Sequence, residues 1–214
     1  MFKDRKEAGQ LLAEKLIQYR DKNAVVYALP RGGVVLGFEI ARLLHTPLDL
    51  VIARKIGHPE NPEYAVCAVT EEDEPFYNET EKVTLDPSWL RQEIEKGRKE
   101  AKLRREKYLK GREHFSAKDK TAILVDDGVA TGLTLRTAIR SLRKEEPREL
   151  LVAVPVAPQD LVEILRTEAD KVVVLKNERS YLGAVGAYYK SFPQTSDEEV
   201  IELLRQDEIS KINV

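Results

Sequence analysis

The stretch "ILVDDGVATGLT", residues 123–134, ends an apolar run on two adjacent carboxylates and then turns through glycines, small residues and threonines. A buried strand accounts for the apolar part. It does not account for Asp126 and Asp127 side by side, because like charges repel and neither is cheaply removed from water. Paired carboxylates can hold a metal ion, or accept hydrogen bonds from the neighbouring 2′- and 3′-hydroxyls of a ribose. Gly128 and Gly132 permit tight or positive-φ turns. The free amides of such a turn, joined by the hydroxyls of Thr131 and Thr134, make a cradle for a phosphate. A glycine turn with a threonine cap would explain one Gly and one Thr, but not two aspartates. A sugar with its phosphate close by fits the order of the parts.

Working outward, short β-rich runs alternate with helical patterns. Strands are predicted at "AVVYAL" (24–29), "LDLVIA" (48–53), "YAVCAVT" (64–70), "TAILVD" (121–126), "ELLVAVPVA" (149–157) and "KVVVLK" (171–176). Helices are predicted at "VVLGFEIARLL" (34–44), "TLRTAIRSLRKE" (134–145) and "QDLVEILRTEA" (159–169). This alternation implies parallel strands with right-handed crossovers and a ligand at their carboxyl ends. The unusual residues sit at those ends. In "LPRGGV", Gly32 and Gly33 let the backbone approach an anion while Arg31 supplies charge. Arg54 and Lys55 place two cations after the next strand, at the start of the polar loop "RKIGHPENPE". Three anion-favouring elements on one rim point to a ligand with several phosphates. No GxxxxGK[ST] or strand-following GxGxxG is present, which argues against a P-loop or a dinucleotide site.

A segment of different character lies between. Residues 71–81 hold six acids and no base, whereas residues 88–120 hold twelve Lys or Arg against six Asp or Glu, a local charge of +6. Leu90, Ile94, Gly97, Ala101 and Tyr108 recur at helical spacing behind Asp86-Pro87, a cap and first turn. A solvated helix with one buried stripe is the plain reading, and a basic arm for phosphate or RNA the sharper one. Ser196 and Glu199 predict a capping box for a terminal helix. The 214 residues and 42% hydrophobic content are enough for a core, and one domain over 1–214 is expected. A net charge of −2 gives no global pull toward nucleic acid or membrane, and no apolar run is long enough to span a bilayer, so a cytoplasmic protein is expected. Cys67 reads as a core residue, and three scattered histidines show no metal-ligand spacing.

These residues resemble a known family. "ILVDDGVATGLT" is similar to the phosphoribosyl-pyrophosphate (PRPP) signature of the type I phosphoribosyltransferases, "LPRGGV" to their pyrophosphate loop and "RKIG" to the start of their flexible loop. "ALPRGGVVLGFEIA", "VIARKIGHPENPEYAVCAV" and "YYKSFPQTSDEEVIELL" resemble a bacterial and archaeal subgroup of predicted phosphoribosyltransferases. The resemblance implies an α/β fold: a central, mostly parallel sheet flanked by helices, a small C-terminal hood (about 176–214) and an inserted loop and helix (about 71–118). It implies Mg²⁺-dependent transfer of the ribose 5-phosphate group of PRPP to a nitrogenous base or other nitrogen nucleophile, with release of pyrophosphate. By motif, Asp126 and Asp127 would hold the ribose. Gly128, Val129, Ala130, Thr131, Gly132, Leu133 and Thr134 would hold the 5-phosphate. Arg31, Gly32, Gly33, Arg54 and Lys55 would meet pyrophosphate, with Arg54, Lys55 and Asp127 as the catalytic groups. Tyr181 and Tyr188 stand as hood residues that could face the base. Mg²⁺ would come mainly through PRPP and water rather than a protein site. The inserted stretch exceeds the family's usual flexible loop. A PRPP-sensing regulator linked to RNA or DNA is the alternative on the same fold, and the oligomeric state, a homodimer included, stays open.

Overall fold

The computed structural model describes residues 1–78, 85–112 and 114–212. Five strands form a wholly parallel sheet: β1 (Ala24–Ala28), β2 (Leu48–Leu50), β6 (Thr121–Val125), β7 (Glu149–Pro158) and β8 (Lys171–Glu178), in the order β2-β1-β6-β7-β8. Both faces are covered, which is why the strands read as continuous apolar runs rather than alternating ones. Val26 and Ala28 face a core built with α1 (Arg5–Lys15), α2 (Gly32–Leu44) and α6 (Asp197–Ile212). Val25 and Tyr27 face the opposite core, under α4 (Leu133–Lys144) and α5 (Gln159–Glu168). The strand order reverses between β1 and β6, and such a switch point opens a crevice at the carboxyl ends of the two strands.

The structure corrects the second and third predicted strands. β2 ends at Leu50, and residues 51–53 leave the sheet. Arg54 and Lys55 therefore do not begin a loop; they open β3 (Arg54–His58), which pairs antiparallel with β4 (Asn61–Val69), itself paired with β5 (Phe76–Tyr77). Only Pro59 and Glu60 connect β3 to β4, a link far too short for the crossover that parallel strands need. This second sheet stands apart from the parallel one.

The long helix follows its sequence pattern. α3 (Pro87–Leu109) starts where the Asp86 carboxylate accepts the Ser88 amide at 2.9 Å, and it buries Leu90, Ile94, Gly97, Ala101 and Tyr108. Leu90 and Ile94 pack on Ile56, Val66, Cys67 and Val69 of the small sheet. Residues 79–84, part of the acidic stretch, lie outside the described residues. Part of the helix's positive charge is paired within the fold: Arg98 on Glu95, Lys107 on Asp197, and Arg105 on Asp49 and Glu71. Cys67 is fully buried, and the Glu199 amide donates to Ser196 Oγ at 3.1 Å as a cap of α6.

α1 was not among the predicted elements. Its signal was present in "DRKE", where Asp4 accepts the Glu7 amide at 2.9 Å, and in the spacing of Ala8, Leu12 and Leu16, all buried.

Candidate active site

Two loops meet at the switch point. From β1 the chain runs through a cis Pro30–Arg31 peptide bond into Gly32 and Gly33, the first residues of α2. From β6 it runs into Asp126 and Asp127. A Cβ at Gly32 would sit 1.9 Å from Asp127 Oδ2, and one at Gly33 would sit 3.0 Å from the Asp126 Cα and the Val125 carbonyl oxygen. Only bare backbone fits, so the glycine pair is what lets the acid pair and the first loop share one rim.

Burial and the neighbouring Asp127 charge push the Asp126 carboxyl well above the usual carboxylate range. The Asp127 amide, which donates to Asp126 Oδ1 at 2.8 Å, and the charges of Lys55 and Arg5 act the other way. Burial also raises Asp127, opposed by the charge and hydrogen bond of Arg5. Arg5 holds Asp127 Oδ2 at 2.7 Å through Nε and the Pro193 carbonyl at 2.6 Å through Nη1, and its guanidinium lies 3.6 Å from the Phe192 ring centroid. Its side chain is only 10% exposed. Tyr189 adds a third tether, donating its hydroxyl to the Asp127 carbonyl oxygen at 2.6 Å. The N-terminal helix and the C-terminal segment thus converge on one aspartate.

The loop after the acid pair is shaped by its glycines. Gly128 has φ +147°, and a Cβ there would meet Val185 at 2.5 Å; Gly132 has φ +77°, and a Cβ there would meet Leu161 at 2.6 Å. Gly132 is the N-cap of α4, so the loop delivers the positive end of a 12-residue helix to this point. Val129 and Leu133 turn their side chains into the core, while Ala130 and Thr131 are exposed. A cavity of about 50 Å³, lined by residues 128–135, Asp126 and Lys55, lies in this curve.

The other residues singled out from the sequence divide. Lys55 lines the cradle, but its strand neighbour Arg54 pairs with Glu100 of α3 at 2.5 Å. Successive residues on a strand face opposite sides, so one strand could not present both. Arg31 pairs with Asp197 of α6 at 3.6 Å. Gly32 and Gly33 are on the rim. Tyr188 is buried and its hydroxyl accepts the Leu182 amide at 2.8 Å; Tyr181 stacks on it at 5.4 Å, and its own hydroxyl is buried with no hydrogen-bond partner among the described residues. Sequence reasoning missed Arg5, whose partner lies 122 residues away.

A parallel sheet whose switch point carries an acid pair, a glycine cradle at a helix start and a second glycine loop defines the class of type I phosphoribosyltransferase folds. Residues 3–191 match the phosphoribosyl transferase domain family, and the chain belongs to that family. It is 37% identical over 206 residues to "Putative phosphoribosyl transferase Rv0571c" of Mycobacterium tuberculosis, a match that covers 95% of this chain and 46% of that protein. The chain therefore spans about half the length of the curated relatives it matches. The crystal structure of TT1426 from Thermus thermophilus superposes with a TM-score of 0.80 at 41% identity, covering 96% of this chain and 98% of that one. Among the described residues no helix is long and apolar enough to cross a membrane.

Proposed function

We propose that the chain transfers the 5-phosphoribosyl group of PRPP to a nitrogen nucleophile in the cytoplasm. The observation that carries this reading is the meeting of Asp126, Asp127, the cradle and Lys55 at the switch point of the sheet. The acid pair would accept the two ribose hydroxyls, an arrangement that offsets both burial and mutual repulsion, and residues 128–134 would hold the 5-phosphate. Gly32, Gly33 and Lys55 would meet pyrophosphate. Arg31 would join them by exchanging Asp197 for phosphate oxygens, whereas Arg54, on the opposite face of β3, stays with Glu100.

The nucleophile's nitrogen bonds to C1 of the ribose as the C1–O bond breaks, the electron pair leaves with pyrophosphate, and the nitrogen's proton passes to water. Negative charge grows on the leaving group, so fixed cations there stabilise the transition state more than the bound substrate. The Tyr181 hydroxyl, buried and without a partner among the described residues, would face the nucleophile.

Among the described residues no cluster of three ligating side chains could hold a metal. Mg²⁺ keeps several waters and takes one or two carboxylates together with substrate phosphates. Asp126 and Asp127 are the carboxylates at hand, and the ion would neutralise charge on pyrophosphate. The regulator reading drew on the basic helix, of whose charges Arg98, Arg105 and Lys107 are paired within the fold.

Calorimetry with PRPP and Mg²⁺, followed by pyrophosphate release with a panel of purine and pyrimidine bases, tests the proposal. PRPP-dependent release with at least one nitrogen acceptor is expected; folded protein that does not bind PRPP would overturn it.

A further inference from the structure

Beside the phosphate cradle lies a second concavity of about 420 Å³, within the ~300–1,000 Å³ typical of small-ligand sites. Lys55, Thr131 and Leu133 belong to both. Tyr64, Phe76 and Tyr77 of the small sheet form one wall, and Arg136 and Arg140 of α4 form the other. Leu133, Arg136 and Arg140 recur at three- and four-residue spacing, so one face of α4 serves this cavity.

Its electrostatics are one-sided. Three cationic side chains line it and, among the described residues, no carboxylate does, in a chain with 37 acidic residues against 35 basic ones. Arg136 is held by Glu168 at 2.5 Å. Arg140 and Lys55 have no ion-pair partner among the described residues. The Arg140 guanidinium lies 3.9 Å from the Phe76 ring centroid and that of Arg136 lies 4.6 Å from it. Stacking on the ring fixes both guanidiniums in place and leaves the charge of Arg140 unneutralised. The Asn78 side-chain amide, donating to the Tyr64 hydroxyl at 2.9 Å, steadies the facing ring. Fixed positive charge, unpaired on Arg140, beside aromatic faces calls for an anion that carries a planar group.

We propose that this cavity binds a nucleoside monophosphate, its base against Tyr64 and Tyr77 and its phosphate on Arg140 and Lys55. The site is separate from the acid pair and does not depend on the PRPP reading; the two share one wall.

The test is calorimetric titration of the full chain with AMP, GMP, CMP and UMP in three proteins: wild type, Arg140→Gln, and the double variant Asp126→Asn/Asp127→Asn. Wild type is expected to bind at least one of these nucleotides. Arg140→Gln should weaken that binding ~10-fold or more, the effect of losing a charge-assisted contact, while its thermal midpoint and its PRPP titration stay at the wild-type values. The double acid variant should bind the nucleotide as wild type does while losing PRPP. Three results would overturn the proposal: no nucleotide bound by folded wild type, equal affinity in Arg140→Gln, or loss of the nucleotide in the double acid variant, which would place it at the ribose site. Failure of wild type to bind PRPP would instead remove the transferase reading and leave this one standing.

Discussion

Asp126 shows most directly how a working residue can oppose the fold that carries it. Its carboxyl is raised by burial and by Asp127, so the folded chain holds that proton more firmly than the unfolded one does. For an acid shifted this way, stability is lost as pH rises from the unfolded value through the folded one. Removing the charge should therefore help at neutral pH. Asp126→Asn keeps an oxygen for the Asp127 amide and is expected to raise the thermal midpoint at pH 7 by roughly 2–4 °C, the scale of about 1 kcal/mol in a domain of this size. The gain should shrink as pH falls, and PRPP affinity should drop ~10-fold or more. Calorimetric scans at several pH values, paired with PRPP titrations, check both halves. Lys55 should behave differently, because its contacts tighten as charge develops on the leaving group. Lys55→Ala is expected to lower turnover ~100-fold with a far smaller change in PRPP affinity. Turnover at the wild-type rate with the true acceptor would remove Lys55 from the pyrophosphate site.

At the scale of elements, the cradle and α4 form one unit joined at Gly132. Its φ of +77° and the close approach of Leu161 leave no place for a side chain. Gly132→Ala should cost about 1 kcal/mol in backbone strain. It should also distort the amides that would meet the 5-phosphate, so PRPP binding should fall further than the loss of stability explains. A titration at a temperature where the variant is fully folded separates the two effects. α3 docks on the small sheet through a similar economy of space. A Cβ at Gly97 would lie 3.0 Å from Val69 of β4, so a branched residue there would push the helix off the small sheet that carries Lys55. Gly97→Val is expected to lower the thermal midpoint and to impair turnover together.

Across the whole molecule, a buried network ties the edge of the parallel sheet to the chain that follows α3. Asp49 in β2, 1% exposed, accepts the amides of Leu50 and Phe115 at 2.7 and 2.8 Å and bonds the His114 ring at 2.8 Å. The other ring nitrogen of His114 reaches Glu145 at the end of α4 at 3.1 Å. Hydrogen bonds to Asp49 and then to Glu145 raise His114 to about 9. A base raised on folding contributes fully below its unfolded value, near 6.5, and that contribution is lost as pH rises through 9. The thermal midpoint should therefore fall between about pH 6.5 and 9, and His114→Gln should flatten that slope. Because His114 is 41% exposed, the effect is screened and should weaken further in salt.

Much of this was legible along the chain wherever local spacing can express it. The strand-helix alternation, the acid pair at a strand end, the two glycine loops, and α3 with its cap and stripe all depend on residues a few positions apart, where backbone sterics and periodicity act. Facing was a different matter. Arg54 and Lys55 are neighbours in sequence, yet they point apart because residues 54–58 form a strand of a hairpin, and only the packing of α3 and α4 on its two sides decides which cation reaches the cradle. The turn at Pro59 and Glu60 was visible as a loop, but its consequence, a second antiparallel sheet, emerged only when β4 found β3 and β5 as partners. Tyr181 and Tyr188 read alike in sequence, and the fold satisfies one hydroxyl and leaves the other open among the described residues. Arg5 reaches Asp127 across 122 residues, because closing so long a loop is driven by the burial of whole elements and leaves no trace in the spacing around either residue.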